Sequence, residues 1–437
     1  MIDFGCILST FTPDQEELGK VKRLSDDLIR EISKYCQGHN IKAEPILVGS
    51  SSRGTSLKGA DIDIFIRFHR SYEIREMERL GLQIGHAVLR NGIEKYAEHP
   101  YVSSYEFVQK VDIVPCFIIN DASEKLTSVD RTPLHNEYLK KHLSDAQKKE
   151  VILLKLFLRR QGIYGSELKT NGFSGYVTEL LIVNFGSFLS TLNHLSTLKG
   201  NLVIGDPNSV KRFESPVIII DPTDPIRNAG AAVSLTSLSI FKLSSKAFIK
   251  NPSEDYFGMG PIRTPRKNVD RGTKFFLIKF RRPDVVDDII FPQVQKMIST
   301  ITRASENLGF RIINWEQFVG EVGDNVEVLL ELEYDQLPAM KVHRGPPVDI
   351  ENALSFIEKH KGEEIFRGPY VKDDRVYAEL KNGNTEFLPS LKNILEKADL
   401  GRHINKIKGE FIIERYEGKP PESEVTNIFL SRKNPSP

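Results

Sequence analysis

The chain has 437 residues, 40% of them hydrophobic and 27% charged, with 60 Lys and Arg against 59 Asp and Glu for a formal net charge of +1. That length suits two to four domains, no stretch reaches the ~20 uninterrupted apolar residues of a membrane span, and the near balance of charge confines any nucleic-acid contact to a local patch. Three scattered cysteines, Cys6, Cys36 and Cys116, argue against a disulfide framework or a zinc site and for a reducing, cytoplasmic setting, and the N-terminus carries no signal pattern.

In chain order, residues 12–38 have the spacing of an amphipathic helix. Residues 44–48 read as a short strand ending in the small-residue turn Gly49-Ser50-Ser51-Ser52-Arg53. Residues 61–68 then alternate strictly, with Asp61, Asp63, Phe65 and Arg67 on one face and Ile62, Ile64, Ile66 and Phe68 on the other. A helix within 74–96 separates this strand from Val111-Asp112-Ile113-Val114, which alternates in the same way. Residues 121–142 are polar and turn-rich, a predicted hinge. Ser144 and Gln147 form a capping box opening a helix that Gly162 stops.

From 163 to about 256 the pattern is helical with Gly-rich turns. Residues 176–192, interrupted by Glu179 and Asn184, read as one buried helix. Asp221-Pro-Thr-Asp-Pro-Ile-Arg-Asn reads as a punctuated loop after a strand at 217–220. Beyond 257 the sequence predicts a strand at 275–280, a helix at 292–308 and a strand at 326–334. A sharp turn at His343-Arg-Gly-Pro-Pro-Val, a helix at 349–360, strands at 370–378 and 409–416, and a tail at 432–437 complete the chain. This order suggests an α+β protein with a helical insertion.

Two carboxylates two apart on a strand point the same way, so Asp61 and Asp63 share a face that a neighbouring strand can complete with Asp112. Three acids together repel unless a divalent cation lies among them, and hard oxygen ligands select Mg²⁺. The Gly49-Ser50 turn offers N–H groups and hydroxyls to phosphate oxygens. That combination equips a chain for nucleotidyl transfer. A Gly-Ser turn is usually only a turn, and Asp-x-Asp is common; the two in this order, followed by an apolar-flanked Asp, resemble the DNA polymerase β-like nucleotidyltransferase superfamily.

Further stretches narrow the resemblance: Arg131-Thr-Pro-Leu-His-Asn-Glu-Tyr, residues 153–167, Gly172-Phe-Ser-Gly-Tyr, Asp221-Pro-Thr-Asp-Pro-Ile-Arg-Asn and His343-Arg-Gly-Pro-Pro-Val. In that order, over nearly the whole chain, they are similar to the archaeal class I CCA-adding enzymes, the tRNA nucleotidyltransferases. The resemblance implies a polymerase β-like catalytic head at 1–142, a helical, nucleotide-binding neck at 143–256, and an α+β body with a tail insertion at 257–437 that binds tRNA. It implies template-independent addition and repair of the tRNA 3′-terminal CCA from CTP and ATP, with two Mg²⁺ ions held by Asp61, Asp63 and Asp112. Gly49, Ser50, Arg53, His135, Lys155 and Tyr164 fall where the family binds the nucleotide, and Arg227 where it reads the incoming base. Asp61 departs from the glutamate often found at that position, which shifts the metal slightly without removing a ligand.

Outside the resemblance, Lys155 could equally be a lysine snorkelling from a helix flank, His135 a structural loop histidine, and Tyr164 a core tyrosine. Arg227 offers a planar fork of donors to acceptor edges of cytosine and adenine. Candidate RNA contacts are Ser50 and Arg53 at the active site, together with Arg271, Lys274, Arg281 and Arg282 in the basic run that starts at Arg263 and Arg266, where Phe275, Phe276 and Phe280 interleave. Such a run can also be a solvated face. The expected partners are the tRNA 3′ end with its acceptor–T arm, CTP, ATP and a second copy of the chain, and no membrane. Two rivals stand beside this reading: another terminal nucleotidyltransferase that adds one nucleotide repeatedly, and a non-catalytic RNA-binding relic, against which the intact Asp61, Asp63 and Asp112 argue.

Overall fold

The computed structural model describes residues 2–96, 99–259, 267–362 and 365–431. The expected tail at 432–437 and the basic residues Arg263 and Arg266 lie outside the described residues. The chain separates into two compact units, 1–262 together with 433–437, and 263–432.

The first unit opens with helix α1 (Phe4–Phe11) and helix α2 (Gln15–Gly38). The single helix expected over 12–38 is therefore corrected at its start: Pro13 interrupts, and Asp14 makes a reciprocal capping box with Glu17. Strand β1 (Ala43–Val48), the single turn α3 (Gly49–Arg53) and strand β2 (Ile62–Phe68) follow. The helix expected within 74–96 is α4 (Ile74–Val88), and Ile93–Tyr96 forms strand β3, paired to β4 (Pro100–Glu106). Strand β5 (Gln109–Phe117) closes a five-stranded sheet of order β1-β2-β5-β4-β3. Ile62, Ile64, Ile66, Val111 and Ile113 bury one sheet face together with Leu28 and Ile32 of α2 and Met77 and Ile84 of α4. A slip of one residue in β2 would expose three isoleucines at about 2 kcal/mol each, so the register of the acidic face is fixed by the apolar one.

The segment 121–142, expected to be polar, turn-rich and a hinge, carries ordered helical turns. Asp130, fully buried, accepts from the backbone N–H groups of Phe117, Leu126 and Thr127, and residues Thr132–His142 form helix α5. Helix α6 (Asp145–Arg160) begins at the Ser144–Gln147 capping box. The expected single helix at 176–192 is two, α7 (Gly175–Phe185) and α8 (Phe188–Thr197), bent by 90°. Gly186 makes the break, at φ +86°, a conformation that costs side-chain-bearing residues. Among the described residues no single helix is long and apolar enough to cross a membrane.

Strand β6 (Leu202–Ile204), the short helix α9 (Pro207–Val210), and strands β7 (Val217–Asp221) and β8 (Asp224–Asn228) follow, with helix α10 (Leu235–Lys250) last. Residues 221–228 are thus a tight β7–β8 hairpin rather than a loop. Pro222 sits in the turn and Pro225 on an edge strand, where a missing N–H costs no ladder bond.

The second unit contains β9 (Lys274–Arg281), α11 (Asp287–Leu308), β10 (Ile312–Val319) and β11 (Asn325–Leu332). Next come β12 (Met340–Pro347), α12 (Asn352–Lys359), β13 (Ile365–Lys372) and β14 (Arg375–Lys381). Helix α13 (Phe387–Lys397), strand β15 (Ile412–Glu417) and helix α14 (Glu424–Leu430) complete it. Two sheets result, β10-β11-β9-β15 and β12-β14-β13. The expected turn at His343 is edge strand β12, and the strand expected at 370–378 is the hairpin β13–β14, turned at Asp373 with φ +54°.

Candidate active site

Strands β2 and β5 are parallel neighbours, and their register sets Asp63 opposite Asp112 and Ile64 opposite Ile113. Val48, the last residue of β1, lies opposite Asp63 on the other side. The chain then turns through Gly49 at φ +74°, and a Cβ there would stand 2.2 Å from Asp63 Oδ2. Only glycine permits both the conformation and the approach. Ser50, the second residue of α3, is half-buried, and Ser51 Oγ donates to the Asp61 carbonyl at 3.0 Å, tying the turn to the start of β2.

Lys110, not foreseen from the sequence, stands between two of the acids: Nζ is 2.5 Å from Asp61 Oδ2 and 2.9 Å from Asp112 Oδ2. Burial opposes its charge, and the two carboxylates outweigh burial and raise its pKa. Ser103 Oγ donates to Asp112 Oδ1 at 2.5 Å. Burial, then the charges of Asp112 and Asp61, push the Asp63 carboxyl up to about 7. Such crowded hard oxygen donors suit a divalent cation. Among the described residues no three His, Cys, Asp or Glu side chains already stand at ligating spacing, and an ion bound by Asp61 and Asp112 would take the place of Lys110 Nζ.

The expected phosphate-binding cations gather around an unforeseen acid. Glu179 of α7, fully buried, accepts from Arg53 Nε at 3.1 Å and Nη2 at 2.8 Å, from Thr55 Oγ1 at 2.5 Å, and lies 3.6 Å from Lys155 Nζ. Arg53 Nη1 also donates to Asn136 Oδ1 at 2.8 Å, and Lys155 Nζ to the Thr55 carbonyl at 2.9 Å. Lys155 is only 2% exposed, so it is not a snorkelling lysine, and burial lowers its pKa. Tyr164 adjoins it: a Cβ on Gly175 would meet Tyr164 Oη at 3.2 Å and Lys155 Nζ at 4.0 Å. Burial pushes the Tyr164 hydroxyl up to about 12.

A further acid, Asp221 at the end of β7, is also fully buried. Its Oδ2 accepts from His135 Nε2 at 2.9 Å and Arg227 Nη1 at 2.7 Å, and its Oδ1 from Tyr176 Oη at 2.9 Å. Burial would raise the Asp221 carboxyl, but the bonds from His135 and Thr223 outweigh it and hold the group below the usual carboxylate range. The His135 ring stacks on Tyr176 with centroids 4.1 Å apart, and burial draws its pKa below the usual imidazole value. Because an ionised carboxylate only accepts, Nε2 carries the hydrogen and Nδ1 is the remaining ring nitrogen.

In the second unit the basic run divides. Arg281 is exposed at the end of β9. Arg282 is 7% exposed and donates to the Gly320 carbonyl at 2.6 Å, the Val285 carbonyl at 2.8 Å and Asp287 at 2.7 Å. The expectation that Arg282 meets RNA is corrected on that ground: the side chain is buried and both Nη groups are bonded within the unit. Arg271 pairs with Glu331 at 2.6 Å and Lys274 with Glu417, each keeping an accessible side chain. Phe275, Phe276 and Phe280 are buried in the core and present no face to a base.

Three family models match the chain. A nucleotidyltransferase domain matches residues 29–135, the second domain of tRNA nucleotidyltransferase matches 149–258, and the C-terminal domain of CCA-adding enzyme matches 271–415. The chain is 43% identical to a CCA-adding enzyme of Picrophilus torridus, over 99% of this chain and 99% of that protein. It is 40% identical to a CCA-adding enzyme of Thermoplasma volcanium, over 99% and 98%, and 40% identical to one of Thermoplasma acidophilum, over 95% of each.

Proposed function

The chain belongs to the CCA-adding enzyme family, and on that premise we propose that it adds and repairs the 3′-terminal CCA of tRNA without a template, using CTP and ATP and releasing pyrophosphate. The observation that carries the chemistry is the pairing of Asp63 with Asp112 across parallel strands, beside Asp61 and the glycine turn at 49. Asp61, Asp63 and Asp112 are the residues that would hold two Mg²⁺ ions. Bound there, such ions supply positive charge to the attacking and leaving oxygens of an in-line displacement.

The remaining roles fall to the side chains around them. Gly49 and Ser50 offer a turn for phosphate oxygens, and Arg53 and Lys155 bring positive charge to the triphosphate and its leaving group. Their shared pairing with Glu179, hydrogen-bonded for Arg53 and ionic for Lys155, supports a fixed placement for both cations, which lowers the cost of ordering them when nucleotide arrives. Tyr164 lines the same corner. Arg227 presents donors to the base, where cytosine and adenine offer ring-nitrogen acceptors and uracil and guanine carry N–H. Arg271, Lys274 and Arg281 give the second unit charge for the phosphates of the acceptor–T arm, which a protein recognises by shape and backbone. Cytoplasmic work is in keeping with three cysteines that are all free.

The experiment is incubation with tRNA trimmed of its 3′ end, with CTP, ATP or both, and products resolved to one nucleotide. Two additions with CTP alone and three with both nucleotides are expected. Unlimited addition of one nucleotide would make the chain a tailing polymerase and overturn the reading.

A further inference from the structure

We propose that Asp221 is a positioning residue for nucleotide selection: one buried carboxylate holds Arg227 and His135 together and so fixes which Arg227 donors meet the incoming base. The inference rests on the reading of the chain as a CCA-adding enzyme and deepens it.

Arginine is a long, rotamer-rich side chain, and an arginine that discriminates bases must present its fork at one angle. Arg227 is partly exposed, on a hairpin strand. What holds it is the 2.7 Å bond from Nη1 to Asp221 Oδ2. Among the described residues its Nη2 and Nε have no protein acceptor and stay available. The same Oδ2 receives His135 Nε2, so two substrate-facing side chains from different elements, α5 and β8, share one anchor.

The anchor itself is rigid. The Thr223 N–H and hydroxyl both donate to Asp221 Oδ1 at 2.9 Å, closing the β7–β8 turn over the carboxylate, and Tyr176 Oη adds a third bond to that oxygen. A fully buried carboxylate left without donors would be costly, and the three bonds to Oδ1 share that load, so the anchor outlasts the loss of one of them. Asp221 is fully buried while Arg227 and His135 are partly exposed, so its effect on substrate passes through those two side chains.

The test is Asp221→Asn in the full chain, measured by single-turnover incorporation of CTP, ATP, UTP and GTP onto tRNA ending before CCA. An amide holds an arginine less firmly than a carboxylate, so the CTP-over-UTP preference should narrow about tenfold, mainly through apparent nucleotide affinity. In an Arg227→Ala background, Asp221→Asn should narrow the preference no further, because the residue it positions is gone. Tyr176→Phe, which removes a bond to the other oxygen, should change the preference less than about twofold. An unchanged preference in folded Asp221→Asn, or an equal loss for all four nucleotides, overturns the inference. If Asp221→Asn does not fold, arginine side-chain NMR of the wild-type chain decides: hindered rotation of the Arg227 guanidinium supports the clamp, and free rotation overturns it. A wild-type chain with no use of CTP or ATP would instead overturn the functional reading, and the NMR measurement would still judge the clamp.

Discussion

The carboxylate cluster should weaken the metal-free protein, and Asp63→Asn should show it by raising thermal stability while abolishing activity. Asp63 lies next to Asp61 and Asp112, and its carboxyl is pushed from an ordinary 3.8 up to about 7, first by burial and then by those two charges. A folded-state pKa above the unfolded value means that the folded chain holds a proton the unfolded chain has released. That stabilisation is complete below about pH 4 and is lost as pH rises through 7. The rise from 3.8 to about 7 corresponds to about 4 kcal/mol at most, and partial solvent access to the site reduces this to about 2 kcal/mol. For a unit of this size that is about 4–8 °C in melting temperature. The assay is thermal unfolding of both proteins in chelator at about pH 8 and about pH 5.5, where the advantage of Asp63→Asn should fall to about half. Adding Mg²⁺ at the higher pH should stabilise the wild type more than the variant. A variant no more stable than wild type, or an advantage independent of pH, would refute the reasoning.

Asp112→Ala should abolish nucleotide incorporation and leave tRNA binding, followed by filter retention, largely intact. Lys110→Met should lower the melting temperature in chelator and enlarge the stabilisation given by Mg²⁺, since the internal cation between Asp61 and Asp112 is gone; equal metal responses would assign Lys110 no part in the cluster. Arg53→Ala should weaken all four nucleotides alike, whereas Arg227→Ala should selectively narrow the CTP-over-UTP preference in single-turnover assays. Arg281→Ala should flatten the salt dependence of tRNA binding by about one unit of slope. Arg282→Ala should instead cost about 2–3 kcal/mol in unfolding experiments, because two backbone carbonyls and the Asp287 carboxylate lose their donor.

What the sequence disclosed, and what it withheld, follows the range of the forces involved. The alternation at 61–68 and 111–114 is a local, period-two signal, and it marked the strands that carry the acids. The pairing of Asp63 with Asp112 depends on which strands become parallel neighbours, a tertiary outcome that neither strand encodes alone. Breaks in helices escaped where one residue decides, as at Gly186, and the hairpin at 221–228 was hidden by Pro222 and Pro225, which mark turns in general but also tolerate edge strands.

The unforeseen site residues share one property: they hold other residues. Lys110 was within reach of the alternation argument, because position 110 shares a strand face with Asp112, two residues on. Glu179 left a signal too, as the one acid inside an otherwise apolar stretch, where an unpaired carboxylate would be untenable and a buried cation had to answer it. Its partners Arg53 and Lys155 lie 126 and 24 residues away, so the need for a partner was legible and its identity was not. Arg281 and Arg282 teach the same lesson in reverse. Adjacent residues at a strand end face opposite ways, so a basic run counted by charge mixes a solvent-facing arginine with one that braces the interior. Reading such a run by face, with an acceptor sought for every buried donor, separates the residues that meet a ligand from those that fix the protein beneath it.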